Sequence, residues 1–297
     1  LALALFTAAG PAKADPLFMR TSLPPGEAQR SMDEFRARES DPDAARMLRV
    51  FGCLTAVGGQ RYEAAQRDCS DAILLDPGNP GPYKLRGEAS LFQGHFAAAL
   101  ADFDKAVALD ATDPENFAAR GEAFRLMGRF RPAIGDFDRA IALSPRDPRF
   151  WNSRCWVRAE ANRELAKALA DCNRAHGLSH RFSAALDSRG VVYLRLHRYV
   201  QAIKDYDGAI NLRSDFPSAL FGRGLAKLHL RQTAGGRGDI RKARTLDPGI
   251  DSFFARMGIT GQGLAMPALK RRQVRPERQA PARKSEVADR QAAAAPQ

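Results

Sequence analysis

The chain has 297 residues, 44% of them hydrophobic, with 46 lysines and arginines against 34 aspartates and glutamates and a net charge of +12. That content is enough for a sizeable core. No stretch reaches the roughly 20 apolar residues that a bilayer-spanning helix needs, so a membrane helix is excluded.

The first segment, Leu1 to Gly10, is an apolar run of about ten residues followed by Ala12-Lys13-Ala14 and Asp15-Pro16. A short apolar run before a small-x-small triplet predicts the tail of a secretory signal peptide, partial in this sequence and ending at Ala14. An apolar tail without a targeting role is the other reading. Residues 15–45 carry Pro16, Pro24, Pro25 and Pro42 and are expected to form a linker, with one short helix between Gly26 and Glu39.

From Met47 onward a period near 34 residues takes over. Pro80, Tyr83, Gly87, Gly94, Phe96, Ala99, Phe103 and Ala106 are followed, each 34 positions later, by Pro114, Phe117, Gly121, Gly128, Phe130, Ala133, Phe137 and Ala140. A period this long marks a stacked array of supersecondary units. Six units are expected, at 46–79, 80–113, 114–147, 148–182, 183–216 and 217–250. Leu75-Asp76-Pro77, Leu143-Ser144-Pro145 and Leu246-Asp247-Pro248 read as helix stops, because proline cannot continue a helix. Gly235, Gly236 and Gly238 are expected to weaken the second helix of the last unit.

The spacing and residue types resemble the tetratricopeptide repeat family over 46–250. The resemblance implies an all-α, right-handed superhelical solenoid of two antiparallel helices per unit. Each mid-helix glycine is expected to admit the second helix closely, answered by Ala99, Ala133, Ala168 and Ala202, with Phe103, Phe137 and Tyr206 wedged between units. Arg86, Arg120, Arg154, Arg189 and Arg223 precede the glycine position, and Asp102, Asp136, Asp171, Asp205 and Asp239 precede the large residue of the second helix. A core-facing arginine needs a carboxylate, so a repeated Arg–Asp ladder is expected. Whether it closes within a unit or between units is open, and a basic stripe for an anionic ligand is the alternative.

The cysteines fall in the same register. Cys53 and Cys155 stand at the glycine position, and Cys69 and Cys172 at the large apolar position. On facing surfaces of one hairpin these pairs would close as disulfides in an oxidising compartment. Four buried thiols, or a redox or metal role, remain as alternatives. Beyond the array, Phe253 and Phe254 mark a capping helix within 251–266. Residues 267–297 hold eight basic residues against three acidic ones and almost no large apolar side chain. That tail cannot offset its ordering entropy. It reads as a solvated spacer, or as an electrostatic contact with an anionic envelope surface.

The resemblance also implies a concave face lined by first helices. It nominates as a peptide-binding groove Lys84, Glu88 and Leu91, Glu122 and Arg125, Asn152 and Trp156, Asp187, Val191 and Leu194, and Phe221 and Leu225, all expected to be exposed on the inner surface. Trp156 could serve as an anchor or pack between units, whereas Trp151 shares the place of Tyr83 and Phe117 in the repeat core. No phosphate loop, nucleophile elbow or cofactor fingerprint is present in the sequence. Cys172, His176 and His180 have metal-compatible spacing, but the helix is expected to end near Gly177. The expected function is a non-catalytic adaptor for a protein or peptide in the bacterial envelope, with no cofactor, no metal and no nucleic-acid partner. The alternatives are a scaffold for a polyanionic wall or lipid surface, and an accessory hydrolase or weak metal-binding protein.

Overall fold

The structure, a computed structural model, describes residues 42–260; the expected signal segment, the 26–39 helix and the basic tail lie outside them. Within that span are thirteen α-helices and no strand. They are α1 (Pro42–Gly58), α2 (Tyr62–Leu75), α3 (Pro80–Phe92), α4 (Phe96–Leu109), α5 (Pro114–Leu126), α6 (Phe130–Leu143) and α7 (Pro148–Glu160). After them come α8 (Leu165–Leu178), α9 (Ser183–Arg195), α10 (Tyr199–Leu212), α11 (Pro217–His229), α12 (Thr233–Leu246) and α13 (Ile250–Arg256). Odd-numbered helices α1 to α11 each pack antiparallel on the next even one, and successive pairs stack. The all-α repeat class holds, and α1 reaches back to Pro42, into the expected linker.

Three local devices repeat. Asn79, Asp113 and Asp147 cap α3, α5 and α7 by accepting from the amides of Gly81, Glu115 and Arg149, with proline as the first helical residue. This is the favoured N-terminal chemistry, since proline has no amide to leave unsatisfied there. Each first helix then ends in a left-handed residue: Gln60, Gly94, Gly128, Asn162, His197 and Arg231. The amide after it reaches back to the fifth carbonyl before, as in Arg129 to Phe124 and Arg198 to Tyr193, which satisfies the helix end. The extra residue of the fourth unit is absorbed in this turn, where Glu164 is also left-handed, at φ 49°.

The core follows the glycine register, with one difference from expectation. At Gly87 and Gly190 the aromatic ring, rather than the alanine, lies on the glycine, whereas at Gly121 Ala133 and Phe137 share the place at 3.3 Å. A Cβ on Gly87 would stand 2.7 Å from Phe103, and one on Gly190 would stand 2.6 Å from Tyr206. Tyr206 is also backed by Gly222 of the next unit, whose Cβ would fall 2.3 Å from the ring. Phe103, Phe137 and Tyr206 are completely buried, so each ring fills a slot that the absent side chain opens. The last pair keeps a full 14-residue α12 despite its glycines. Gly236 lets α12 approach so closely that an added Cβ would meet the Gly224 carbonyl at 2.8 Å. Backbone proximity offsets the helix-propensity cost there.

The Arg–Asp ladder closes within units. Arg86, Arg120, Arg154, Arg189 and Arg223 make bidentate pairs with Asp102, Asp136, Asp171, Asp205 and Asp239 at 2.6–3.0 Å. The remaining guanidinium nitrogen reaches the preceding unit, onto Ser70, Asp104, Asp138, Asn173 and Asp207 respectively. Each arginine therefore clamps one hairpin and ties it to its neighbour. The first unit has Gly52 in the arginine's place. There Cys53 and Cys69 are joined, Cα–Cα 4.8 Å, as are Cys155 and Cys172 at 5.5 Å, both inside the range a disulfide spans.

Candidate binding face of the first helices

Helices α3, α5, α7, α9 and α11 stand side by side, each presenting the positions nominated for a groove. Their exposure differs from expectation. Leu91, Glu122, Arg125, Asn152, Trp156, Asp187, Val191, Leu194, Phe221 and Leu225 are all buried; Lys84 and Glu88 are half-buried. Charged side chains are braced against one another at Lys84, Glu122 and Arg125, Leu91 belongs to the packed core around Phe103, and Trp156 and Phe221 are covered by the chain itself.

The bracing is an ion-pair chain. Arg125 donates Nε and Nη2 to Glu122 at 2.9 and 2.5 Å and Nη1 to Glu160 of the next unit at 2.7 Å. Each of its three guanidinium nitrogens has a carboxylate partner and the group ties α5 to α7, so Glu122 and Arg125 brace the array. Lys84 likewise pairs with Asp113 at 3.3 Å. Burial pushes the Glu88 carboxyl up to about 7, with Lys84 pulling the other way. Asp187 is also raised to about 7 by burial, although Ser218 donates its hydroxyl to the carboxylate and Arg213 opposes the shift.

The covering element is α13. It follows the last unit, as expected of a C-terminal helix, yet its side chains reach much further along the array. Phe253 stacks on Trp156 of α7, centroids 5.9 Å apart and planes 12° from parallel. Phe254 lies 5.5 Å from Phe253 and 4.7 Å from Phe221 of α11. The Met257 carbonyl, just past the helix, accepts from Arg195 Nη2 of α9 at 2.5 Å. One short segment thus touches the fourth, fifth and sixth units. Trp156 Nε1, Asn152 Oδ1 and Arg195 Nε are buried without hydrogen-bond partners, so polar capacity remains on this face.

Trp151 does belong to the repeat packing, with Nε1 donating to the Pro145 carbonyl at 3.0 Å and Arg154 over its ring. Among the described residues no group of three or more His, Cys, Asp and Glu side chains has metal-binding geometry. His176 and His180 sit edge to face, and Cys172 is bonded to Cys155. The docking of α13 was not found by sequence reasoning. Its one signal was the adjacent pair Phe253-Phe254, whose rings on a seven-residue helix cannot share one face.

Stacked helical hairpins with one face built from first helices define a helical-repeat protein. The tetratricopeptide repeat family model matches residues 118–179. The chain has the fold of a tetratricopeptide repeat array. No curated protein matches it. Among solved structures it is similar to a chain of the APC/C hetero-tetramer Cut9–Hcn1, with 15% identity, TM-score 0.63 and 72% of this chain covered; it spans only 42% of that chain. It is also similar to PilF of Pseudomonas aeruginosa, with 17% identity, TM-score 0.58, and coverage of 72% of this chain and 98% of that one. A third is a tetratricopeptide repeat protein of Parabacteroides merdae, with 14% identity, TM-score 0.56, and coverage of 75% and 94%. Likeness at these identities concerns the fold.

Proposed function

We propose that the protein is a non-catalytic interaction scaffold that binds a protein or peptide on the face made by its first helices, in the bacterial cell envelope. The observation that carries the reading is that Trp156 and Phe221 on that face already take aromatic side chains of a short segment, Phe253 and Phe254. A groove that seats rings in this way suits a peptide or partner helix, and Trp is enriched among the residues that anchor interfaces. The two cysteine pairs support the envelope setting, since disulfides persist in oxidising compartments. On this reading the basic tail contacts anionic envelope surfaces.

A photo-crosslinking residue placed at Glu88, on the first-helix face, should capture a protein partner from an envelope extract. The same group at Val200, exposed on α10, should not. Equal capture from both positions, or capture only from Val200, would refute the assignment of the face. Thiol alkylation of protein taken directly from the cells that make it should find the four cysteines protected; four free thiols would refute the envelope setting.

A further inference from the structure

The C-terminal half of the first-helix face already holds a peptide, and that peptide is part of the chain. Trp156, Phe253, Phe254 and Phe221 form an unbroken row of rings from the fourth unit to the sixth, with neighbouring centroids 4.7–5.9 Å apart. Phe253 and Phe254 come from α13, whose Phe254 and Ile250 are fully buried and whose Phe253 is nearly so. The row is anchored at its end by a main-chain contact, the Met257 carbonyl on Arg195. Burial lowers the Arg195 guanidinium. The groove thus recognises three things: a ring that stacks on Trp156, an adjacent ring that leans on Phe221, and a carbonyl one turn later for a half-buried arginine. None of the three needs the segment to be covalently attached to α12.

The segment is also short and jointed. It has seven helical residues, too few to hold a helix without its docking surface. It is joined to α12 through Asp247-Pro248-Gly249, where Asp247 Oδ1 accepts from the Gly249 amide at 2.8 Å. Arg244 of α12 also holds it through Asp251, with two hydrogen bonds of 2.7 Å that undocking must break.

We propose that residues 250–259 are an internal, displaceable ligand of the first-helix face. The partner this surface takes is a protein segment of the same chemistry, with two adjacent aromatic residues followed by a free main-chain carbonyl about one turn on. This deepens the scaffold reading above and rests on it for biological meaning. Docking in cis lowers the apparent affinity for a segment in trans in proportion to the fraction of molecules that are open. The attached copy competes at the high effective concentration of a short linker.

The test uses the full chain and a fluorescein-labelled peptide with the sequence of residues 249–259. A full-length F253A/F254A variant, with far-UV circular dichroism matching the parent, should bind the peptide at least about tenfold more tightly than the unaltered chain. Adding Trp156→Ala should abolish that gain, as should changing both peptide phenylalanines to serine. Equal binding by variant and parent, or no binding by a folded variant, overturns the proposal. If the variant does not fold, the unaltered chain at high concentration of peptide carrying benzophenone in place of the second phenylalanine decides the matter. Adducts should map to α7 or α11, and adducts only elsewhere overturn the proposal. A folded variant that ignores the peptide while Glu88 crosslinking still captures a partner removes the internal ligand and leaves the scaffold. Peptide binding without partner capture does the reverse.

Discussion

The same substitution should have opposite signs at two glycines that look alike in sequence. Gly190 and Gly135 both lie inside helices, and replacing an exposed mid-helix glycine by alanine gains about 1 kcal/mol of helix propensity. At Gly135 no atom lies within 4 Å of an added Cβ, so Gly135→Ala should stabilise the protein by about 0.5–1 kcal/mol. At Gly190 the Cβ would stand 2.6 Å from Tyr206 Cε1 and 2.7 Å from Cζ. The ring must withdraw by roughly 1 Å to restore an ordinary contact. It has no room, because the Gly222 backbone of the next unit backs it and its exposure is zero. Overpacking of a tight core costs about 1–3 kcal/mol. With a ring clamped on both sides the upper end applies, and after the propensity gain the net loss for Gly190→Ala should be about 2 kcal/mol. Urea unfolding followed by circular dichroism, with the slope checked for two-state behaviour, measures both. If Gly190→Ala stabilises as much as Gly135→Ala, the clamped-ring account of unit packing is wrong.

The other predictions concern charge and cross-links. Removing the ladder arginine in Arg120→Ala strands the buried Asp136 and should cost about 1.5–3 kcal/mol in the same assay; a loss below about 0.5 kcal/mol would make the ladder ornamental. Reducing both cysteine pairs should lower stability by roughly 3 kcal/mol for each loop in the chain-entropy model. The double change Cys155→Gly with Cys172→Phe should recover part of that in the presence of reductant, since it restores the glycine–ring packing of the second and third units. Asp187 gives a pH signature. Its carboxyl is raised to about 7 in the fold from an ordinary value of 3.8, so the fold favours the protonated acid. Its contribution is complete below about pH 4 and is lost as pH rises towards 7. The stability difference between the parent and Asp187→Asn should therefore shift against the parent over that window, by up to about 4 kcal/mol, and a flat difference would refute the burial argument.

The 34-residue period, read from Gly87, Phe103 and their successors, was enough to specify a stacked array, and the resemblance it carries supplied the helical hairpins. The same register placed Cys53 opposite Cys69 and Cys155 opposite Cys172 and predicted an Arg–Asp ladder, while the fold decided that the ladder closes within units. Local chemistry was equally legible, as in the proline stops after Leu75, Leu143 and Leu246, where α2, α6 and α12 end. Legibility stopped at the nominated face. Glu122 and Arg125 were read as free groove residues, yet Arg125 spends all three of its nitrogens on Glu122 and Glu160. A helix register says which side a residue faces, and the charge on the neighbouring unit decides whether it is available.

Periodic spacing, a relation between residues at fixed separation, is written along the chain, so the sequence by itself determined the repeat register and the candidate pairs within it. What covers the first-helix face is a contact between α13 and helices as distant in sequence as α7. No spacing encodes it, because it depends on how far successive hairpins turn as they stack, a sum of small rotations that exists only in three dimensions. That is why two phenylalanines after the last unit read as a simple cap in one dimension and lie along Trp156, Arg195 and Phe221 in the folded protein.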